Sequence, residues 1–183
     1  MLAGVLSAYI GSALLSSVIG DAVITTFPSL AATATPEVVL GYRDRGWTVA
    51  ETTNGLCLIT DARIGAVEFV DNVAEGVERY LRANALSGPC LEIPGRSRRH
   101  IHLVVGIDRA PGAVATLHAA GAVVHTQGAT LALPPTRLST GSVRWLLSPE
   151  QAPWVPPVVT LAAAVRATRD GCADVERRTS ATA

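Results

Sequence analysis

Two histidines separated by a single residue carry the clearest chemical signal in this sequence. His100 and His102 lie in an apolar run that predicts a β-strand, so both side chains should project from the same face. That geometry permits a metal site. The alternative is a structural role, in which one histidine packs against the sheet and the other is solvated. The spacing alone leaves both interpretations open.

A single carboxylate, Glu68, lies near the end of another apolar run, residues 66–70. Two-metal phosphoryl transfer needs several carboxylates that converge on a pair of divalent cations. Strand alternation puts Val70 on the face of Glu68, whereas Asp71 points to the opposite side or caps the helix that follows. This face therefore offers one carboxylate, which is a weak ligand set for Mg²⁺ or Mn²⁺.

A basic turn at residues 94–99 separates two predicted strands and carries Arg96, Arg98 and Arg99. Forked guanidinium groups match phosphate oxygens well, so the turn is a candidate phosphate clamp. The alternative is a solvated hairpin tip that prevents sheets from associating edge to edge. Because 15 basic and 15 acidic residues balance to a net charge of zero, any contact with nucleic acid must come from such a local patch.

Composition places these residues in one globular domain. The chain has 183 residues, 49% of them hydrophobic, which suffices for a core without disulfides or metal. Cys57, Cys90 and Cys172 are odd in number and never form a CxxC pair, so the cysteine pattern indicates neither a disulfide framework nor a zinc site. We therefore expect a reducing, cytoplasmic location.

Hydropathy divides the chain into four segments. Residues 1–26 predict an apolar helix, residues 27–36 a linker, residues 37–150 the main domain, and residues 151–183 a C-terminal helix whose tail frays beyond Thr168. The apolar helix reaches membrane-spanning length, but no basic segment precedes it, and serines and glycines dilute it. We expect it to pack against the domain or dock a protein partner, and we expect no membrane partner.

Helices and strands mix in the main domain without a strict βαβ rhythm. Predicted helices cover residues 36–46, 71–86 and 113–120, and predicted strands cover residues 48–51, 56–60, 66–70, 90–93, 100–105, 122–125, 130–133 and 143–147. The second and third strands look like a pair, and the fourth and fifth form a hairpin around the basic turn. The fold class is therefore α+β, with a mixed, mostly antiparallel sheet flanked by short helices.

Four short motifs occur in a distinctive order: RGWTV at residues 45–49, TNGL at 53–56, PGRSRRHIHL at 94–103 and GATLALPPT at 128–136. In that order they resemble the "rGWpV", "TGxGL", "TpSGGrHlyF" and "GGyvvaPPS" segments of the N-terminal domain of bifunctional DNA primase–polymerases. That domain is a branch of the archaeo-eukaryotic primase superfamily. The resemblance covers residues 37–149.

This resemblance implies a primase-polymerase-like fold with a nucleotide site. Glu68 stands where the family has its acidic strand, and His100 stands at the family's nucleotide-contacting histidine. These two residues are the catalytic candidates, and Glu68 is the candidate metal ligand. The residues that the resemblance assigns to nucleotide or phosphate binding are Arg96, Ser97, Arg98, Arg99, His100 and His102.

Departures from the family pattern argue against polymerase activity. The second acid of the acidic strand is replaced by Val70, and the third acid by Val123, with His125 nearby. The Gly-Gly pair before the family histidine is replaced by Arg98 and Arg99. Without two of three carboxylates, metal ions lack the ligands that hold them. We therefore expect no cofactor, and Mg²⁺ or Mn²⁺ only if the protein is active.

Three functions are compatible with these residues. The first is a degenerate, catalytically inactive domain that binds nucleotide or DNA and works in DNA replication or its regulation. The second is a protein-interaction module whose cleft is sealed by apolar replacements such as Val70 and Val123. The third is an active DNA primase/polymerase whose atypical metal site uses Glu68, His100 and either Asp61 or Asp71.

Overall fold

The structure of the chain is a computed structural model that describes residues 34–180. The predicted apolar helix, residues 1–26, and most of the predicted linker lie outside this range. The described helices are α1 (Pro36–Asp44), α2 (Asp71–Ala83), α3 (Pro111–Ala119) and α4 (Val158–Ser180). The described strands are β1 (Thr48–Thr52), β2 (Gly55–Ile59), β3 (Gly65–Val70), β4 (Cys90–Ile93), β5 (Arg99–Val104), β6 (Val123–His125), β7 (Thr130–Leu133), β8 (Arg137–Leu138), β9 (Gly141–Ser142) and β10 (Arg144–Leu147). The predicted α+β class is confirmed.

Local sequence explains where helices begin and end. Pro36 occupies the first turn of α1, and Gly46, with φ 75°, follows its end in the left-handed conformation that glycine tolerates. Helix α4 continues to Ser180, twelve residues beyond Thr168, where the sequence predicts a frayed tail. Residues 169–180 contain no proline and one glycine, so the sequence holds no strong helix breaker there. None of the helices in residues 34–180 is long and apolar enough to cross a membrane.

The strands form two main sheets and a small hairpin. A five-stranded sheet has the order β10-β4-β5-β3-β6, a three-stranded sheet has the order β1-β2-β7, and β8 pairs with β9. All strand pairs in these sheets are antiparallel. The predicted hairpin around the basic turn is confirmed as β4 and β5.

The predicted pairing of β2 with β3 is wrong. β2 pairs with β1 and β7 in one sheet, whereas β3 pairs with β5 and β6 in the other. Between β2 and β3, Asp61 Oδ1 accepts hydrogen bonds from the backbone N–H groups of Arg63 and Ile64, at 2.8 and 2.9 Å. This turn carries the chain from one sheet to the next. The hydropathy pattern of two adjacent strands is the same whether they pair with each other or with distant strands. For this reason the sequence pattern predicted the wrong partner for β2.

The five-stranded sheet is the middle of three layers. Residues on one of its faces, including Ala66 and Leu103, pack against Leu58 and Leu131 of the three-stranded sheet. Residues on its other face, including Val67 and Phe69, pack against the helices α2, α3 and α4. Alternate residues of β3 and β5 therefore face different cores, and this alternation decides where each candidate site residue lies.

Candidate functional site

Glu68 is buried in β3 and is held by two basic partners. Its side chain lies in the middle of the sheet, 7% exposed, directly opposite Ile101 of β5 and Val123 of β6. The Nε of Arg99 donates to Glu68 Oε1 at 2.6 Å, and the Nε2 of His125 lies 3.2 Å from Oε2. Both carboxylate oxygens are thus engaged by side chains of this chain.

These contacts set the charge of the group. The hydrogen bond with His125 and the bond and charge of Arg99 lower the pKa of Glu68 from 4.5 to about 2, against the opposing effect of burial. The Glu68 carboxylate in turn raises the pKa of Arg99. Glu68 is therefore ionised at neutral pH, with a permanent guanidinium beside it.

The other acids named by the sequence do not join Glu68. Asp61 precedes β3 and Asp71 follows it, so the rise of the strand puts Asp71 roughly 10 Å from Glu68 and Asp61 farther away in the opposite direction. Val70 and Val123, where the family has acids, are 42% and 52% exposed. The sealed-cleft interpretation expects these valines to be buried in a closed cleft. Instead, both side chains are exposed to solvent.

Asp71 ties two segments together instead of capping α2. Its N–H donates to the carbonyl of Arg98 at 2.8 Å, and its Oδ1 accepts from the N–H of Arg98 at 3.0 Å. No side-chain cap bond is present at the start of α2, where Asp71 has φ 48°. The predicted cap is wrong, because the carboxylate is used to fix the end of the basic turn.

The arginines of the basic turn point to different sides of the middle sheet. Arg99 reaches Glu68, whereas Arg98 forms an ion pair with Glu75 of α2, on the helix side. Arg96 is exposed at the tip, as is Ser97, and Arg96 forms no ion pair with residues 34–169, whose side chains the structure describes. The three guanidinium groups therefore surround the tip of the turn and point in different directions, so they do not line one shared pocket.

His100 and His102 lie on the face opposite Glu68. In β5 His100 pairs with Phe69 and His102 with Val67, whereas Glu68 pairs with Ile101. The structure thus does not bring Glu68 and His100 into one cleft. The two histidines do share a face, as the spacing predicts.

Both histidines are buried beneath the helices, at 5% and 1% exposure, so the interpretation in which one of them is solvated is wrong. Burial lowers the pKa of His102 to about 3 and lowers the pKa of His100, so both rings are neutral at pH 7. The ring of His102 meets Phe69 edge-on, with the centroids 5.9 Å apart. Strand β5 therefore points both of its histidines into the helix-side core.

Cys90 joins this pair. It lies directly across from His102 in the β4–β5 hairpin, and its Sγ is 3.7 Å from His102 Nε2. One ligand atom each from Cys90, His100 and His102 lies within 4.8 Å of the others, and all three residues are buried. The sequence carried a signal for this contact, since a hairpin centred on residue 96 pairs position 90 with position 102.

A cleft opens beside these residues, between α2 and the strands β4 and β10. This helix-side cleft has a volume of about 570 Å³. Its lining includes Glu75, Glu78, Glu92, Arg98, His100 and Leu146. His100 thus connects the buried trio to a surface where acidic and basic side chains alternate.

Comparisons of the chain with protein-family models, with curated proteins and with solved structures found no match in any of the three. The resemblance to primase–polymerases therefore stays a prediction.

Proposed function

We propose that this domain is a degenerate, primase-polymerase-like module that binds the phosphate groups of a nucleotide or a nucleic-acid strand without catalysing nucleotidyl transfer. The observation that carries the proposal is the pairing of Glu68 with both Arg99 and His125. A fixed cation stands beside the carboxylate where a polymerase would hold metal ions.

The absence of catalysis follows from the state of Glu68. A divalent cation needs open carboxylate oxygens, usually from several residues. Binding one at Glu68 would require displacing the Arg99 guanidinium from a partly buried, charge-assisted hydrogen bond of 2.6 Å. The neighbouring Val70 and Val123 offer no oxygen ligand in return. Metal binding at this position would therefore cost Glu68 its contact with Arg99 and would give the ion no second carboxylate ligand.

Phosphate binding follows from how the arginines are held. Arg99 uses its Nε for Glu68, which leaves its terminal N–H groups, on a side chain that is 42% exposed. Arg98 is 55% exposed and is oriented by Glu75. Guanidinium groups that are already oriented lose less entropy when they meet a phosphate. Because the ion pair of Arg98 is exposed, it is weak enough for phosphate to compete with.

The exposed position of the turn favours an extended phosphate backbone that crosses the tip. The tip residues Pro94, Arg96 and Ser97 line an open, mostly polar hollow together with Asn72 and Thr140. Three acidic residues, Asp71, Glu75 and Glu92, line the same hollow against two arginines, so the hollow is not positively charged overall. We therefore expect modest affinity that rests on a few arginine contacts at the exposed tip.

Salt-dependent binding tests this proposal. The full chain is titrated against a labelled single-stranded DNA oligonucleotide at several salt concentrations, with a nucleoside triphosphate as competitor. Three arginine contacts predict a slope of about −2 for log affinity against log salt. Competition at equal phosphate concentration indicates a nucleotide site, and its absence indicates a strand-binding site.

Matched variants identify the contacts. Arg96→Ala with Arg98→Ala should weaken binding by at least about tenfold for all sequences alike, and should reduce the slope to about −0.7. Arg63→Ala is the control, because Arg63 forms an exposed ion pair with Asp61 away from the turn. The proposal fails if the oligonucleotide does not bind, or if the double variant and the control behave alike.

A protein-interaction module is the second candidate. Val70 and Val123 are both exposed on the face of Glu68, and exposed valines around a buried ion pair are suited to a partially apolar partner. Such a partner would bind with little dependence on salt. The titration above separates the two functions.

The cysteines support a cytoplasmic location, which we propose with this function. Cys57 and Cys90 are both free thiols and are buried in the structure. Free thiols persist where glutathione and thioredoxin keep them reduced.

A further inference from the structure

We infer that Cys90, His100 and His102 form a binding site for one transition-metal ion, best suited to Zn²⁺, at the inner end of the helix-side cleft. The three ligand atoms lie within 4.8 Å of one another. In a tetrahedral zinc site, metal–ligand distances of 2.0–2.3 Å put neighbouring ligand atoms about 3.3–3.7 Å apart. The contact between Cys90 and His102, at 3.7 Å, already has this spacing.

The hairpin holds these residues in place. Cys90 faces His102 across β4 and β5, and Glu92 faces His100. All four side chains project from one face, because residues directly opposite in a pair of strands share a face. The three ligands therefore come from two paired, buried strands, which fixes the backbone positions of the site.

His100 supplies an independent observation. Its Nδ1 is buried and has no hydrogen-bond partner, in a side chain that is 5% exposed. A buried polar atom without a partner is costly, and native proteins rarely leave one unexplained. Coordination through Nδ1 gives this atom the partner that it lacks.

The surroundings provide a fourth position. Glu92 lines the helix-side cleft beside His100, and among the described side chains its carboxylate is engaged by Arg144, which donates to Oε2 at 2.9 Å. Either the remaining oxygen of Glu92 or a water molecule from the cleft can complete a tetrahedron. Three protein ligands with one position open to a cleft is the arrangement that reactive zinc sites share.

The chemical types of the three ligand atoms indicate which metal ion the site prefers. A thiolate and two neutral imidazoles suit Zn²⁺, whereas Mg²⁺ and Ca²⁺ prefer oxygen ligands. When the ion binds, the Cys90 thiol gives up its proton to solvent and forms a sulfur–metal bond. The site lies on the opposite face of the sheet from Glu68, so it does not depend on the phosphate-binding proposal.

Cobalt substitution tests the site in the full chain. The metal-free protein is titrated with Co²⁺, which reports thiolate coordination through a sulfur-to-cobalt charge-transfer band and tetrahedral geometry through intense visible bands. We expect one Co²⁺ per chain, displaced by one Zn²⁺, and a higher Tm when Zn²⁺ is present. Absence of these bands, or no rise in Tm with Zn²⁺, would overturn the inference.

Variants locate the ligands. Cys90→Ser should abolish the charge-transfer band, and His100→Gln should weaken Co²⁺ binding by at least tenfold, while circular dichroism shows both variants folded. Cys57→Ser is the matched control, since Cys57 is a buried thiol in the three-stranded sheet. A band that survives Cys90→Ser, or that disappears in Cys57→Ser, contradicts the assignment. Should Cys90→Ser not fold, the Co²⁺ spectrum and stoichiometry of the unaltered chain still decide whether the site exists.

Discussion

Glu68 is a buried carboxylate that two basic side chains keep in its charged form. Its two oxygens meet Arg99 and His125 at 2.6 and 3.2 Å. Because these partners favour the ionised form, the pKa of Glu68 falls to about 2 despite burial. The same contacts that keep the group ionised fill the positions that a divalent cation would need.

Replacing Glu68 with glutamine should therefore lower the free energy of unfolding at pH 7 by about 2–3 kcal/mol. The folded pKa of about 2 lies below the ordinary value of 4.5, so this stabilisation is complete above about pH 4.5 and is lost as the pH falls toward 2. Urea denaturation of both proteins from about pH 3 to pH 7 should show the difference shrinking at low pH.

Glu75→Gln is the control for that measurement. It removes the exposed ion pair with Arg98, which should contribute less than about 1 kcal/mol. A difference between Glu68→Gln and the unaltered protein that stays constant across this pH range would contradict the described role of Glu68.

Single residues were partly predictable from the sequence. Strand alternation correctly separated Glu68 from Asp71 and put His100 and His102 on one face. Cys90 was missed, because its contact with His102 depends on the register of a hairpin and not on spacing along the chain. Strand alternation also did not show which face of the five-stranded sheet packs against the helices and which against the three-stranded sheet.

At the scale of elements, the packing of α2 against α4 rests on a glycine. Gly76 is buried in α2, and a Cβ atom at this position would overlap Cγ2 of Thr168 in α4. The hydroxyl of Thr168 donates to the carbonyl of Ala164 at 2.8 Å, so this side chain is held in place. The two helices therefore approach more closely than a larger residue would allow.

Gly76→Ala should accordingly lower the free energy of unfolding by about 1–3 kcal/mol, because overpacking outweighs the gain in helix propensity. Gly41→Ala in α1 is the matched control, since no atom lies within 4 Å of its added Cβ. That variant should be neutral or more stable by up to about 1 kcal/mol. Equal effects in the two variants, measured by denaturant unfolding, would contradict close packing at Gly76.

Elements were more predictable than their pairing. Most helices and strands lie within a few residues of their predicted positions, because turn residues and hydrophobic periodicity are local signals. The β4–β5 hairpin was predictable for the same reason. One of the two partners of β2 is β7, about 70 residues further along the chain, and only the completed core selects it.

At the scale of the whole molecule, the middle sheet separates two kinds of chemistry. One face carries Glu68 with Arg99 and His125, and the other carries the trio of Cys90, His100 and His102. With a net charge of zero, the molecule has no global attraction for nucleic acid, so any binding depends on the basic turn. The proposed phosphate binding without polymerase activity is compatible with this arrangement.

The full chain should give no primer extension with either Mg²⁺ or Mn²⁺, because one occupied carboxylate cannot hold the two cations of the reaction. A gel-based extension assay with an active polymerase as reference checks this expectation. Product formed by the purified chain, and abolished by Glu68→Gln, would show that Glu68 is a metal ligand after all.

The most direct measurement compares oligonucleotide affinity in metal-free buffer with the affinity after addition of Mg²⁺ or Mn²⁺. If Arg99 stands in place of metal ions, the affinity in metal-free buffer should be at least as high as with added cation, and Arg99→Gln should weaken binding. Binding that appears only when the divalent cation is added, and that is insensitive to Arg99→Gln, would contradict the account.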